Sequence, residues 1–220
     1  MGVFSGLLDL IFPPRCVFCH KFLKSSRDKV CEACRSDLPY TKQGGARSGE
    51  HFTVCVSPLY YDGVVRESML RFKFKEATGY SAEYGRLVAD CVRSNLSGRY
   101  DLISWVPLGR KRLKERGYDQ AMLLALSAAL ELSDVAVSTL EKVSDTQKQS
   151  QMGSAENRQA NISGAYRAVD AELISGRRIL LIDDIVTTGS TLSECARTLL
   201  DAGAAEVLCA AVAGSMEERD

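Results

Sequence analysis

Arg178-Ile179-Leu180-Leu181-Ile182-Asp183-Asp184-Ile185-Val186-Thr187-Thr188-Gly189-Ser190-Thr191 is the stretch whose reading decides the fold. Ile179 to Ile182 is a short aliphatic run, the pattern of a strand buried on both faces of a parallel sheet. From Leu192 the spacing becomes helical, with Leu192, Ala196, Leu199 and Leu200 on one face and Gly203 placed to end the helix. Between strand and helix, Thr187, Thr188, Gly189, Ser190 and Thr191 offer hydroxyls and backbone N–H groups at a helix N-terminus. Unpaired N–H groups and the helix dipole both favour an anion there, and a phosphate monoester fits. Asp183 and Asp184, at the end of the apolar run, repel one another and need hydroxyls, a cation or water as partners. Ribose hydroxyls with a magnesium ion would supply them, so a sugar carrying a 5′-phosphate suits both halves of the turn. The alternative is an ordinary capped helix after a wet strand end. The order of elements favours the ligand, because open α/β sheets bind at the carboxyl ends of their strands.

Leu181 to Thr191 resembles the phosphoribosyl-pyrophosphate (PRPP) motif of type I phosphoribosyltransferases, covering strand, acidic pair and phosphate loop together. The resemblance implies Asp183 and Asp184 on the ribose hydroxyls, as the catalytic centre of any transfer. It places Val186, Thr187, Thr188, Gly189, Ser190 and Thr191 around the 5′-phosphate. The fold class it implies is α/β, a parallel sheet flanked by helices.

At 220 residues, 45% hydrophobic and 25% charged, the chain suits one moderate domain plus a small module. A formal net charge of zero gives no global field toward nucleic acid or membrane. No apolar run reaches the ~20 residues needed to span a bilayer. Met1 to Phe12 lacks the basic start and cleavage site of a signal peptide, so a cytoplasmic location is expected.

In a reducing compartment the cysteines read as ligands or core residues rather than disulfides. Cys16-Val17-Phe18-Cys19 and Cys31-Glu32-Ala33-Cys34 form two C-x-x-C knuckles. Four thiolates complete a closed tetrahedral zinc site, which folds a segment too short to build a core. A redox dithiol is the alternative for a single knuckle. Around them stand Arg15, Lys21, Lys24, Arg27, Lys29 and Arg35, either a nucleic-acid rim or a solvated surface. Cys55, Cys91, Cys195 and Cys209 follow no ligand spacing and read as small buried hydrophobes. Pro39 to Glu50 reads as a linker, giving a zinc-binding module over 1–45 and a phosphoribosyltransferase-like domain over 46–220.

In the second part, His51 to Tyr61 is expected as an edge strand, Val64 to Phe74 and Tyr84 to Leu96 as helices, and Asp101 to Val106 as a strand. Ala121 to Leu132 is expected as a core-facing helix, with strands at Val135 to Leu140 and Glu206 to Ala213. Arg71, Lys73 and Lys75, interleaved with Phe72 and Phe74, are candidates for single-stranded nucleic acid. The alternative is a helix C-terminus with favourable cations and two core aromatics. Arg110, Lys111, Arg112 and Arg116 begin at a strand's carboxyl end and are natural clamps for pyrophosphate. Glu141 to Gly164 is long and polar, a lid or surface disorder, with Gln149 and Arg158 as its candidate contacts.

Val106-Pro107-Leu108 followed by Lys111 to Ala121 narrows the likeness to the ComF/GntX family, the competence-associated branch of phosphoribosyltransferase-like proteins. The Leu10 to Cys16 lead, Tyr61-Asp62-Gly63, Phe72-Lys73-Phe74, Thr146-x-x-Gln149, Asn157-Arg158 and Gly164-Ala165-Tyr166 also resemble it. Ser144 and Gly109-Arg110 depart from its pattern near the expected substrate region. The resemblance implies structural zinc, magnesium with PRPP, and a role in DNA uptake and natural transformation with single-stranded DNA and DNA-uptake or recombination proteins as partners. It implies the ligand more directly than the reaction: transfer of ribose 5-phosphate to a base or amine, and PRPP sensing without catalysis, both stay open.

Overall fold

A computed structural model of the chain describes residues 13–75, 77–143 and 164–215. Helix α1 (Glu32–Asp37) and a 3-10 turn (Lys42–Gly45) precede strands β1 (Cys55–Val56) and β2 (Leu59–Tyr60). Helices α2 (Gly63–Phe74) and α3 (Tyr80–Leu96) lead to β3 (Leu102–Trp105), α4 (Arg110–Arg116) and α5 (Gln120–Leu132). The hairpin β4 (Leu140–Lys142) and β5 (Tyr166–Ala168) follows, then α6 (Ala171–Ile174), β6 (Arg178–Val186), α7 (Ser190–Asp201) and β7 (Glu206–Gly214).

The main sheet is parallel throughout, in the order β1-β7-β6-β3, with β2 also on β7. Its centre is the aliphatic run: Arg178 stands opposite Glu206 and Val186 opposite Gly214, and Leu102 to Trp105 pair with Ile179 to Ile182. Because side chains alternate along a strand, Leu180 and Ile182 enter the core under α2, α3 and α5, while Ile179 and Leu181 enter the second core under α7. Both faces are covered, which is why β6 reads as a continuous apolar run rather than an alternating one. The N-terminal end of β6 is pinned by Arg178, whose Nη2 and Nε donate to Asp101 at 2.6 and 3.0 Å and hold that carboxyl well below the usual carboxylate range. Helices α3 and α5 cross closely at Gly85, where a Cβ would lie 2.4 Å from the Ser127 Cβ and 2.8 Å from the Ala128 nitrogen.

Two expectations are corrected. The stretch 51–61 is not one strand: Pro58 has no N–H to give the ladder, and Cys55–Val56 and Leu59–Tyr60 pair separately with β7 at the sheet edge. Of the strand expected over 135–140, only Leu140 lies in one, as the start of β4. Ala136 bridges Ile103, the Ser104 and Thr139 hydroxyls meet at 2.7 Å, and the chain then leaves the sheet for the antiparallel hairpin β4–β5. Helix α5 faces the core, as expected, through Leu124, Ala125, Ala128 and Ala129, and turns Leu130 outward, 80% exposed.

The cysteine module is joined to the rest by a shared core: Val17, Phe18, Val30 and Leu38 lie in the same cluster as Met69, Phe72 and Tyr84. The Ser68 hydroxyl and the Arg71 guanidinium of α2 donate to the carbonyls of Val17 and Phe18 respectively. The stretch expected as a linker is laid along the sheet edge, with the Arg47 and Cys55 backbones exchanging hydrogen bonds of 3.0 and 2.7 Å. Cys55, Cys91, Cys195 and Cys209 are buried free thiols, as their spacing predicts. Among the described residues no helix is long and apolar enough to cross a membrane.

Candidate functional site

The carboxyl ends of β3 and β6 and the helices that follow them enclose a cavity of about 230 Å³. The strand β6 does not stop before the acidic pair but carries both carboxylates and runs on to Val186. Alternation therefore sends them to opposite faces. Asp184 turns to the α2 side, where Lys73 Nζ lies 2.9 Å from its Oδ2, and both groups are largely withdrawn from solvent. Asp183 turns to the α7 and hairpin side, near Tyr166 and Cys195. Its carboxyl is pushed up, first by desolvation and then by the Asp184 charge. A protonated or metal-partnered Asp183 beside an ion-paired Asp184 suits neighbouring ribose hydroxyls, which both donate and accept.

The turn after β6 is held from outside the sheet. Arg47 Nη1 donates to the Thr187 carbonyl at 3.2 Å and its Nη2 to the Ser215 carbonyl at 2.7 Å, while the Ser215 hydroxyl also donates to Thr187 at 3.2 Å. The Thr188 and Ser190 hydroxyls meet at 2.9 Å, and Thr187 and Thr188 are exposed. Gly189 caps α7 with a left-handed φ of 76°, and a Cβ there would come to 3.4 Å from the Phe52 ring. Replacing Gly189 by Ala therefore strains the turn, at a cost of about 1–2 kcal/mol. The expected result is a melting temperature lower by a few degrees and weaker binding of ribose 5-phosphate, measured by thermal shift and calorimetry.

The basic wall comes from α4 and α5. Arg112 and Arg116 line the cavity, whereas Arg110 and Lys111, at the start of the same helix, are exposed and do not. The expected four-residue clamp is reduced in this way because only one face of a two-turn helix looks inward. Burial pulls the Arg116 guanidinium down from its ordinary value, with the Asp184 charge opposing. It stacks 5.1 Å over the Phe74 ring and donates to Gln120 Oε1 at 2.8 Å. The loop between strand and helix is fixed by Asp119, which accepts from the backbone N–H of Leu108 at 2.8 Å and caps α5 through Met122 at 3.1 Å. From the hairpin, Lys142 and Tyr166 complete the lining; Lys142 Nζ is 3.3 Å from the Tyr166 hydroxyl and 5.0 Å over its ring.

The second centre is the cysteine cluster. The Sγ atoms of Cys16, Cys19, Cys31 and Cys34 all lie within 4.8 Å of one another. Zinc–thiolate bonds of about 2.3 Å in a tetrahedron set sulfurs about 3.8 Å apart, and Cys19 and Cys31 stand at 3.6 Å. The four thiols fit zinc and leave no ligand position for a substrate. The Cys31 N–H donates to Cys16 Sγ at 3.4 Å and the Cys34 N–H to Cys31 Sγ at 3.4 Å. Burial alone would raise the Cys16 thiol, but backbone hydrogen bonds at Cys31 and Cys19 outweigh it and bring it to about 7, while burial pushes Cys34 up.

The structure thus gathers Asp183, Asp184, Thr191, Arg112 and Arg116 at one cavity; Val186 is buried in the core under α7, and Thr187 to Ser190 form the turn beyond the strand without lining the cavity. Two nucleic-acid candidates are redirected: Arg71 bonds the cysteine module and Lys73 pairs with Asp184, leaving Lys75 exposed. The aromatics between them divide, Phe72 into the core and Phe74 to the surface. Gln149 and Arg158 lie outside the described residues. Arg47, Gln120, Lys142 and Tyr166 carry no assignment from the sequence, since each meets the site only through long-range folding. The one local signal was the polar Asp119-Gln120 step at a helix start.

The fold and its two centres define the class: a phosphoribosyltransferase-fold protein with an N-terminal zinc ribbon. Residues 115–220 match the phosphoribosyl transferase domain family and residues 7–59 the double zinc ribbon domain. The DNA utilization protein YhgH of Salmonella typhimurium is 36% identical over 221 residues, covering 90% of this chain and 96% of that protein. Competence protein F of Haemophilus influenzae is 28% identical over 216 residues, covering 88% and 93%. The chain belongs to the ComF family. Among solved structures, the glutamine PRPP amidotransferase of B. subtilis, complexed with ADP and GMP, aligns with a TM-score of 0.44 at 16% identity, over 64% of this chain and 30% of that one.

Proposed function

We propose that the cavity binds the magnesium complex of PRPP and that the protein serves the uptake or use of DNA. The observation that carries the ligand is the convergence, around about 230 Å³, of two carboxylates on opposite faces of β6 with Lys73, Arg112 and Arg116. In this reading Asp183 and Asp184 take the ribose hydroxyls, the Thr187–Thr191 turn takes the 5′-phosphate, and Arg112 and Arg116 face the diphosphate. Magnesium supplies positive charge on the diphosphate oxygens. Ligand hydroxyls at Asp184 compete with Lys73, freeing its ammonium for the same anion. Isothermal calorimetry with Mg·PRPP tests the ligand, and no binding at millimolar concentration would sink it. A turnover assay with a panel of bases and amines then separates a transferase from a PRPP-reading protein.

The DNA role rests on the relatives called competence protein F and DNA utilization protein, together with the exposed basic rim of the cysteine module at Lys21, Lys24 and Lys29. Single-stranded DNA is expected to bind with an affinity that falls steeply with salt, because released counterions drive phosphate contacts. Replacing Lys21, Lys24 and Lys29 together by Ala should flatten the logarithmic salt slope by about 2–3, measured by fluorescence anisotropy. An unchanged slope would remove the rim from the interface.

A further inference from the structure

Gln120 is the first residue of α5 and is 2% exposed. Its side chain lines the cavity, and its two ends differ. Oε1 accepts from Arg116 Nη1 at 2.8 Å, which fixes the amide's orientation, since a guanidinium only donates. The Nε2 end is buried and has no partner among the described residues. An amide donor withdrawn from water without an acceptor destabilises the fold, so a residue kept in this state belongs with an acceptor that arrives from outside.

We infer that Gln120 is a specificity-determining residue of the PRPP site, its Nε2 donating to an oxygen of the diphosphate. The inference rests on the ligand reading above and names a contact within it. The surroundings select an anion: Arg112, Arg116 and Lys73 line the same cavity, and Gln120 stands at the positive end of a 13-residue helix. Asp119 does not take the amide protons; its two oxygens accept from the Leu108 and Met122 backbone. Arg116 thus does two jobs, carrying charge into the cavity and turning the donor end of Gln120 toward the ligand.

The test compares Mg·pyrophosphate and ribose 5-phosphate on the full zinc-loaded chain, by calorimetry and thermal shift. Gln120→Leu removes the donor. It should lower Mg·pyrophosphate affinity at least about tenfold, as loss of a hydrogen bond to a charged acceptor does. Ribose 5-phosphate affinity should stay within about twofold. The ligand-free melting temperature should hold or rise, because an unpaired polar group leaves the interior. Gln120→Glu keeps the shape and the Arg116 contact while replacing the donor with a carboxylate oxygen, and should lose pyrophosphate by more than the Leu variant. Undiminished pyrophosphate binding in both variants overturns this inference alone, as does an equal loss of both ligands. A wild-type chain that binds neither ligand overturns the PRPP reading and this contact with it.

Discussion

Replacing Asp183 and Asp184 together by Asn should lower Mg·PRPP affinity at least about a hundredfold, because in the proposed reading each carboxylate accepts ligand hydrogen bonds worth about 1.5–3 kcal/mol apiece. The two single variants should part company in stability. Asp183 has a raised carboxyl in the folded chain, from desolvation and the Asp184 charge. A raised carboxyl destabilises the fold wherever the unfolded chain would ionise and the folded group is held neutral or ionises at a cost. The penalty is absent below the ordinary carboxylate range, grows as pH rises through it, and is complete above the raised folded value. Asp183→Asn should therefore melt higher than wild type at neutral pH and converge with it in acid. Asp184→Asn removes the carboxylate from Lys73 at 2.9 Å and leaves an enclosed ammonium with only a neutral partner. That variant should melt lower, by a loss on the order of 2 kcal/mol. Thermal melts from pH 4 to 8, with calorimetry of Mg·PRPP, check both. Equal melting curves for the two single variants would show that the carboxylates share one environment, against the opposite-face arrangement.

Stripping zinc should unfold more than the cysteine module. A structural zinc site of this type supplies about 10–16 kcal/mol of binding free energy that is available only to the folded segment. Here the segment does not end at its own boundary. Phe18 stacks edge-on with Tyr84 at 5.9 Å, Phe72 with Tyr84 at 5.4 Å, and Ser68 and Arg71 of α2 bond the knuckle carbonyls. Losing those contacts exposes Met69, Phe72 and Tyr84, which are fully buried. Chelation, or Cys34→Ser, should lower the melting temperature by more than about 10 °C, taking about 5 kcal/mol as the loss and 2–4 °C per kcal/mol for a chain of this size. The purified protein should contain about one zinc per chain by mass spectrometry. Zinc content near zero in chelator-free preparations, or a melt indifferent to chelation, would remove the ion from the account. A weaker Mg·PRPP affinity is also expected without zinc, because α2 carries Lys73 on the same helix as Ser68 and Arg71.

Much of this arrangement was legible in the chain. The aliphatic run 179–182, the hydroxyl-rich turn and the amphipathic helix after it are local patterns, and local patterns fix strand, turn and helix because side-chain periodicity is a property of neighbours in sequence. The cysteine spacing works in the same way: two knuckles set four sulfurs with few other uses. The misreadings have a common physical origin. Residues 135–140 are apolar and strand-like, yet sheet partners are chosen by position in space, and after the bridge from Ala136 to Ile103 the chain pairs with Tyr166–Ala168 instead. Arg71 and Lys73 looked alike as cations at a helix end. A two-residue step on a helix turns side chains well apart, so one met the cysteine module and the other the acidic pair.

The sequence by itself determined the central strand, turn and helix from Arg178 onward and which four cysteines stand together. Only the tertiary structure decided that Asp183 and Asp184 face opposite layers, that Lys73 partners one of them, that Arg47 holds the turn from the sheet edge, and that Gln120 presents a buried donor without an acceptor among the described residues. The reason is the range of the forces involved. Periodicity and spacing act over a few residues, whereas burial, charge pairing and unmet hydrogen bonds depend on segments that folding alone brings together.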